Sequence, residues 1–289
     1  MWIWRAKRCS NDGLHEKTKM SELNKLFKER KKNKKSSFIG FVTSGDPNYK
    51  SSKEIMKEMT KYCQVIEAGV SFNTSTSDSP IIMEANDRAI KSGMNMSKTF
   101  KLISEVKKET KTDTPFVLMT YLNPIIVYGI KKFIKSCQKT GIAGVIIVDA
   151  SLNSPEEKFI INGLTKKNIG YIKIISPTNS EKFIQSSIKN CKNSWIYITS
   201  YYGLTGSKNV NIQNVRKLVK IVRKYSKDIP IGVGFGIKTS KQIKDVSKYA
   251  DATIVGSAIV NKIKEGTENG KYGRNLATFI GSYLKKLTK

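Results

Sequence analysis

Histidine is nearly absent from this chain of 289 residues and its four cysteines lie far apart, and each of these removes a class of chemistry. There is one histidine, His15, in a polar head segment. Without a second imidazole, neither Ser-His-Asp nor Cys-His catalysis can be assembled, and no zinc site can rest on histidine. The four cysteines, Cys9, Cys63, Cys137 and Cys191, show no C-x-x-C spacing, which removes metal knuckles and a disulfide framework. Cys63 follows Met59, and Cys137 follows Phe133 and Ile134, at helical spacing, so both read as small core residues of a reducing compartment, the cytoplasm. No apolar run approaches the ~20 residues needed to span a bilayer. The start, Met1 to Arg8, lacks the apolar stretch of a secretory signal. Carboxylates, backbone amides, hydroxyls and lysines are left to carry the chemistry.

Acidic residues number 23 against 52 basic ones, for a net charge of +29. That balance suggests nucleic acid, but its make-up argues otherwise. Only seven of the 52 cations are arginine, the side chain that reads base edges through a bidentate fork. The lysines fall mostly on the polar faces of helical patterns, and only Lys28 to Lys35 forms a dense cluster. The charge reads as solvated helix exterior that also attracts an anionic substrate, with an anionic surface partner as the alternative. Neither nucleic acid nor membrane is expected as a partner.

With 39% hydrophobic residues the chain can fill a core. Eight short apolar runs recur: 38–43, 65–69, 116–120, 145–148, 171–175, 195–199, 229–233 and 253–255. Each is rich in β-branched or aromatic residues and bounded by Gly, Pro, Asn, Asp or Ser, as buried parallel strands are. Helical patterns lie between them, such as Ile55, Met56, Met59 and Tyr62 on one face. Ser154-Pro155-Glu156-Glu157 reads as a capping box with proline at the first helical position. Eight strands alternating with helices predict an α/β fold, a (β/α)8 TIM barrel, with a doubly wound sheet as the runner-up. Residues 1–19 read as a flexible extension. Residues 20–289 read as a single TIM-barrel catalytic domain that opens on an extra N-terminal helix through Lys31. The interval from Val70 to Pro115 is long, which suggests a functional loop after the second strand.

Three carboxylates stand out. Glu67 lies inside the second apolar run, near the strand end where barrel active sites are built. A charge buried there is either paired, with lysine as the available partner, or functional. Asp78, in Ser77-Asp78-Ser79-Pro80 on the long loop, is a second candidate, or else a turn or N-cap residue. Asp149 closes the fourth run and could fix a neighbour by hydrogen bonding. Glycines gather at the far end: Gly232, Gly234 and Gly236 after the seventh strand, Gly256 and Ser257 after the eighth, and Thr205-Gly206-Ser207 after the sixth. Loops after strands seven and eight with exposed amides make the phosphate site of such barrels, and tight packing of glycine is the bland alternative.

The residues resemble the tryptophan synthase alpha chain family from about Ser21 to Lys264. The likeness rests on Phe41-Val42-Thr43-Ser44-Gly45-Asp46-Pro47, on Met119-Thr120-Tyr121-Leu122-Asn123-Pro124 with Tyr128-Gly129, on Gly203-Leu204-Thr205-Gly206, on Gly234-Phe235-Gly236-Ile237 and on Gly256-Ser257-Ala258-Ile259-Val260. The resemblance implies a carbon–carbon lyase of tryptophan biosynthesis that cleaves indole-3-glycerol phosphate by a retro-aldol reaction to indole and glyceraldehyde 3-phosphate. It implies Glu67 as the acid/base, Asp78 as the second carboxylate, and Phe41, Met119, Tyr121, Ile146 and Tyr197 as the indole pocket. Gly206, Gly236, Gly256 and Ser257 would cradle the phosphate, and Thr205 would serve loop closure. No metal and no cofactor of its own is implied. The partner would be a tryptophan synthase beta chain carrying pyridoxal phosphate, in an alpha2beta2 assembly.

The chain also departs from the family pattern. After Glu67 the family reads Gly-Ile-Pro-Phe-Ser-Asp-Pro, and here the run is Gly69-Val70-Ser71-Phe72-Asn73-Thr74-Ser75. Ala150-Ser151-Leu152-Asn153 replaces a proline-rich turn after Asp149, and Tyr201 stands where arginine is common. Those loops face the beta chain in the family. A partner-independent lyase, or a catalytically weakened subunit that mainly activates the beta chain, are therefore the alternatives.

Overall fold

The computed structural model describes residues 20–75, 77–151, 153–199, 212–234 and 236–289. Residues 1–19 and the segment holding Tyr201, Thr205 and Gly206 lie outside the described residues. The order is α1 (Glu22–Lys32), β1 (Ser37–Thr43), α2 (Tyr49–Met59), β2 (Val65–Gly69), α3 (Pro80–Lys91), α4 (Met96–Thr110), β3 (Phe116–Thr120), α5 (Leu122–Tyr128), α6 (Ile130–Thr140), β4 (Gly144–Ile147), α7 (Pro155–Lys166), β5 (Gly170–Ile175), α8 (Glu181–Asn190), β6 (Ile196–Thr199), α9 (Ile212–Tyr225), β7 (Ile231–Gly234), α10 (Ser240–Ser247), β8 (Ala252–Val255), α11 (Ser257–Glu268) and α12 (Gly273–Leu287). The eight strands close into one parallel barrel in sequence order, β8 pairing back onto β1. The eight expected strands and the extra N-terminal helix are all present. The seventh apolar run overshoots its strand: β7 starts at Ile231, behind Pro230, which has no N–H for the ladder. The long interval after β2 holds two helices, α3 and α4, behind a short loop.

Strand alternation sorts side chains into two cores. Inward-facing Ile39, Val65, Val117, Ile146, Ile172 and Ile254 form one cluster inside the barrel. Outward-facing Val42, Ile66, Leu118, Tyr171, Ile175 and Val233 pack against the ring of helices. Leu23 and Phe27 of α1 join the inner cluster, with the Phe27 ring 5.5 Å from that of Trp195, so α1 closes the N-terminal end. The closed bottom leaves the C-terminal end of the strands as the open face.

Among the described residues, buried charged groups are paired with one exception. Lys173 is an outward residue of β5, 4% exposed, and donates to Glu157 Oε1 at 2.5 Å. Tyr171 donates to the same oxygen at 2.9 Å. Glu157 also explains why the predicted capping box is only half made. Ser154 Oγ accepts from Glu157 N–H at 3.1 Å, but the returning carboxylate takes the N–H of Asn153 at 2.7 Å instead of the N-cap amide. Asp46, fully buried in the loop after β1, accepts a bidentate pair from Arg88 of α3 at 2.7 and 3.0 Å. The exception is Glu67.

Candidate active site

Glu67 is the middle residue of β2, aligned with Phe41 on β1 and Val117 on β3. Its alternation with Val65, an inner-core residue, turns the carboxyl into the barrel. It is 0% exposed, and neither oxygen has a hydrogen-bond partner. Among the described residues no lysine pairs with it, and the one that is buried, Lys173, sits on the outer face of β5 with Glu157. Burial alone lifts the Glu67 carboxyl from 4.5 to about 8, so at neutral pH it is an uncharged acid. The nearby Tyr197 phenol is raised well above its ordinary value, first by burial and then by the charge of Glu67.

Asp78 stands in the loop between β2 and α3 and is half-buried. Burial raises its carboxyl above the ordinary value, opposed by hydrogen bonds from Ser75, Asn86 and Tyr121. Asn86 Nδ2 lies 3.3 Å from Asp78 Oδ2. The Tyr121 hydroxyl also receives the N–H of Ser77 at 3.4 Å, and the Tyr121 ring packs on Phe72 with centroids 5.4 Å apart. Asp78 caps nothing: Ser79 is the N-cap residue of α3. Asp149 has the helper role, since its Oδ1 accepts the N–H of Leu122 at 2.7 Å and so fixes the start of α5 beside Tyr121.

Apolar side chains connect the two carboxylates. Met119 packs on the inner cluster, which holds Ile146 and Tyr197, and on a second cluster built from Phe41, Ala85 and Val260. Met119 and Ile146 are register partners on β3 and β4. Two glycines make room for these rings. A Cβ on Gly69 would come within 2.7 Å of the Phe41 ring, and one on Gly234 within 2.5 Å of Tyr197 Oη.

Of the four residues expected around phosphate, three are described. Gly236 follows β7 with φ +35°, and Gly256 is the N-cap of α11, whose first residue is Ser257. A Cβ on Gly256 would lie 3.4 Å from Phe41, which sets this helix start beside the apolar pocket. The first turn of α11 points free amides and the positive end of the helix dipole toward the open face. Gly206, and Thr205 of the expected closing loop, fall outside the described residues. Sequence reasoning missed Ser75 and Asn86. Its one available signal was an Asn at the buried helical positions between Ala85 and Ala89, where a polar side chain needs a partner.

Comparison with known proteins places the chain among relatives of one family. Residues 27–288 match the family described as tryptophan synthase alpha chain. The tryptophan synthase alpha chain of Petrotoga mobilis is 35% identical over 265 residues, covering 91% of this chain and 98% of that one. The alpha chain of Methanocaldococcus jannaschii is 32% identical, covering 86% and 88%. A crystal structure of the Legionella pneumophila tryptophan synthase alpha chain superposes with a TM-score of 0.78 at 27% identity, covering 93% of this chain and 97% of that one. An eight-stranded barrel with an unpaired acid in β2 and relatives matching nearly end to end leave one assignment: this chain belongs to the tryptophan synthase alpha chain family.

Proposed function

We propose that residues 20–289 act as one catalytic unit that cleaves indole-3-glycerol phosphate to indole and glyceraldehyde 3-phosphate, with Glu67 and Asp78 as its two working carboxylates. The observation that carries this reading is the isolation of Glu67: a completely buried carboxyl without a partner keeps its proton to about pH 8. A general acid is needed first, because the C–C bond breaks only after C3 of the indole is protonated. Glu67 gives its proton to C3, and the positive charge that develops on the ring nitrogen is met by Asp78 accepting from the N–H. Glu67, now a carboxylate, takes the proton of the glycerol hydroxyl. The electron pair of that O–H bond forms the aldehyde carbonyl, and the pair of the C–C bond returns to the indole ring. Protons and charge balance, and Glu67 ends as it began.

Phe41, Met119, Tyr121, Ile146 and Tyr197 would hold the indole between apolar surfaces. Gly206, Gly236, Gly256 and Ser257 would take the phosphate, with Thr205 in the closing loop, and the excess of lysine favours approach of the dianion. The reading gives the chain no metal and no cofactor of its own. Indole would pass to a beta chain carrying pyridoxal phosphate, in a cytoplasmic alpha2beta2 assembly. Ile126 and Val127, 49% and 80% exposed on α5 at the same end of the barrel as Asp78, support a partner surface there. Among the described residues no helix is long and apolar enough to cross a membrane.

The test is indole release from indole-3-glycerol phosphate by the purified chain, with and without a beta chain. Glu67→Gln is expected to lose nearly all activity in both settings, and equal release by variant and wild type would remove Glu67 from the mechanism. Stimulation by the beta chain separates a coupled subunit from a partner-independent lyase.

A further inference from the structure

Resting on the role of Asp78 just proposed, we infer that Asn86 is a positioning residue for the reaction, its side-chain amide holding the Asp78 carboxylate in one orientation. Asp78 needs such a device. Its loop runs from Val70 to Ser79 without proline, and the backbone bonds next to the carboxylate, Asp78 N–H to Ser75 O and Ser77 N–H to Tyr121 Oη, are both long at 3.4 Å. Rigidity has to come from side chains of neighbouring elements. Asn86 is 4% exposed, on the buried face of α3 between Ala85 and Ala89. Its Nδ2 lies 3.3 Å from Asp78 Oδ2 and 3.2 Å from Ser75 Oγ. An ionised carboxylate only accepts, so the atom of the amide facing it is the NH2 group, and both of its hydrogens are used. The Ser75 hydroxyl accepts one of them and gives its own proton to Asp78, closing a triangle of side chains. The helix carrying Asn86 is itself fixed, because Arg88 two residues on grips the fully buried Asp46 through two bonds.

Two properties separate this from ordinary packing. The buried amide spends both donors on the loop that carries the reacting group. A donor at 3.3 Å also favours the ionised form of Asp78, which is the form that can meet charge on the indole nitrogen. The other groups facing Asp78 are Ser75 of its own loop and Tyr121 at the N-cap of α5, with Asp149 next to Tyr121 from the end of β4.

The experiment compares Asn86→Ala and Asn86→Asp with the wild-type chain in indole release, with urea unfolding as a fold control. For Asn86→Ala, kcat is expected to fall about ten-fold or more, the worth of one bond to a charged group, with KM changed by less than about two-fold. The acid limb of the kcat/KM profile should move to higher pH, because the ionised form of Asp78 has lost a donor. In Asn86→Asp, which preserves shape, a second carboxyl faces the first and the limb should move further. In an Asp78→Asn background the Asn86 substitution should cost nothing more. Wild-type kcat and an unmoved acid limb in both variants would overturn the inference, as would an equal loss in the Asp78→Asn background. If Asp78→Asn itself keeps full activity, the reading of Asp78 falls and takes the inference with it; if it abolishes activity while both Asn86 variants behave as wild type, only the inference falls.

Discussion

Replacing Glu67 by Gln should make the protein more stable, and increasingly so as pH rises. The side chain is 0% exposed with both oxygens unpartnered, and its carboxyl titrates near 8 in place of 4.5. The native state therefore holds the proton across a window in which the unfolded chain has released it. Stability follows the difference in bound protons, so the wild type loses stability from about pH 4.5 upward and levels off above about 8. Each pH unit in that window is worth about 1.36 kcal/mol, which sums to roughly 4–5 kcal/mol. Set against a total stability of about 5–15 kcal/mol, this is a large fraction. Glutamine has nearly the same shape and no proton to lose, so Glu67→Gln escapes the decline. Urea unfolding of both proteins from pH 5 to pH 9, followed by circular dichroism, reads the difference, and comparing the two cancels every other titrating group. The expected gap is small near pH 5 and reaches several kcal/mol by pH 8.5. A gap that stays flat within about 0.5 kcal/mol over that range would refute an isolated, buried carboxyl at position 67 and the acid role built on it. Stability given up in this way is typical of residues kept for activity.

The same proton sets the alkaline side of activity: kcat/KM for indole release should fall as pH rises through about 8, where the free enzyme loses the Glu67 proton. A profile level to pH 9.5 would contradict that. Tyr197, close enough to Glu67 for its phenol to feel that charge, offers a second probe of the pocket. In Gly234→Ala the new methyl would stand 2.5 Å from Tyr197 Oη and 3.1 Å from Ile254 Cβ, so the ring must shift beside Glu67. We expect a stability loss of about 1–3 kcal/mol and a fall in kcat of ten-fold or more, measured by urea unfolding and indole release. Wild-type turnover in this variant would show that the Tyr197 ring has no bearing on the reaction.

The amino-acid sequence alone determined the barrel and singled out Glu67 as a carboxyl in an apolar strand. Short apolar runs rich in β-branched and aromatic residues, and the turn residues that bound them, are local properties, so the eight strands could be read within a residue or two of their ends. The carboxyl of Glu67 was conspicuous because charge is costly inside an apolar run. What could not be read was pairing. Lys173 and Glu157 are 16 residues apart, Arg88 and Asp46 are 42 apart, and no local pattern names either match. Asp149 likewise needed β3 and β4 side by side before its bond to the Leu122 amide could exist. Asn86 looked like any polar residue of a helix until α3 was packed over the loop of Asp78. Closure of the barrel decided the most consequential point, that among the described residues every other buried charge finds a partner while Glu67 faces inward among apolar neighbours and keeps its proton. The physical reason is that burial and partnership arise where distant segments meet, whereas the apolar runs and turn residues that mark strands lie between chain neighbours.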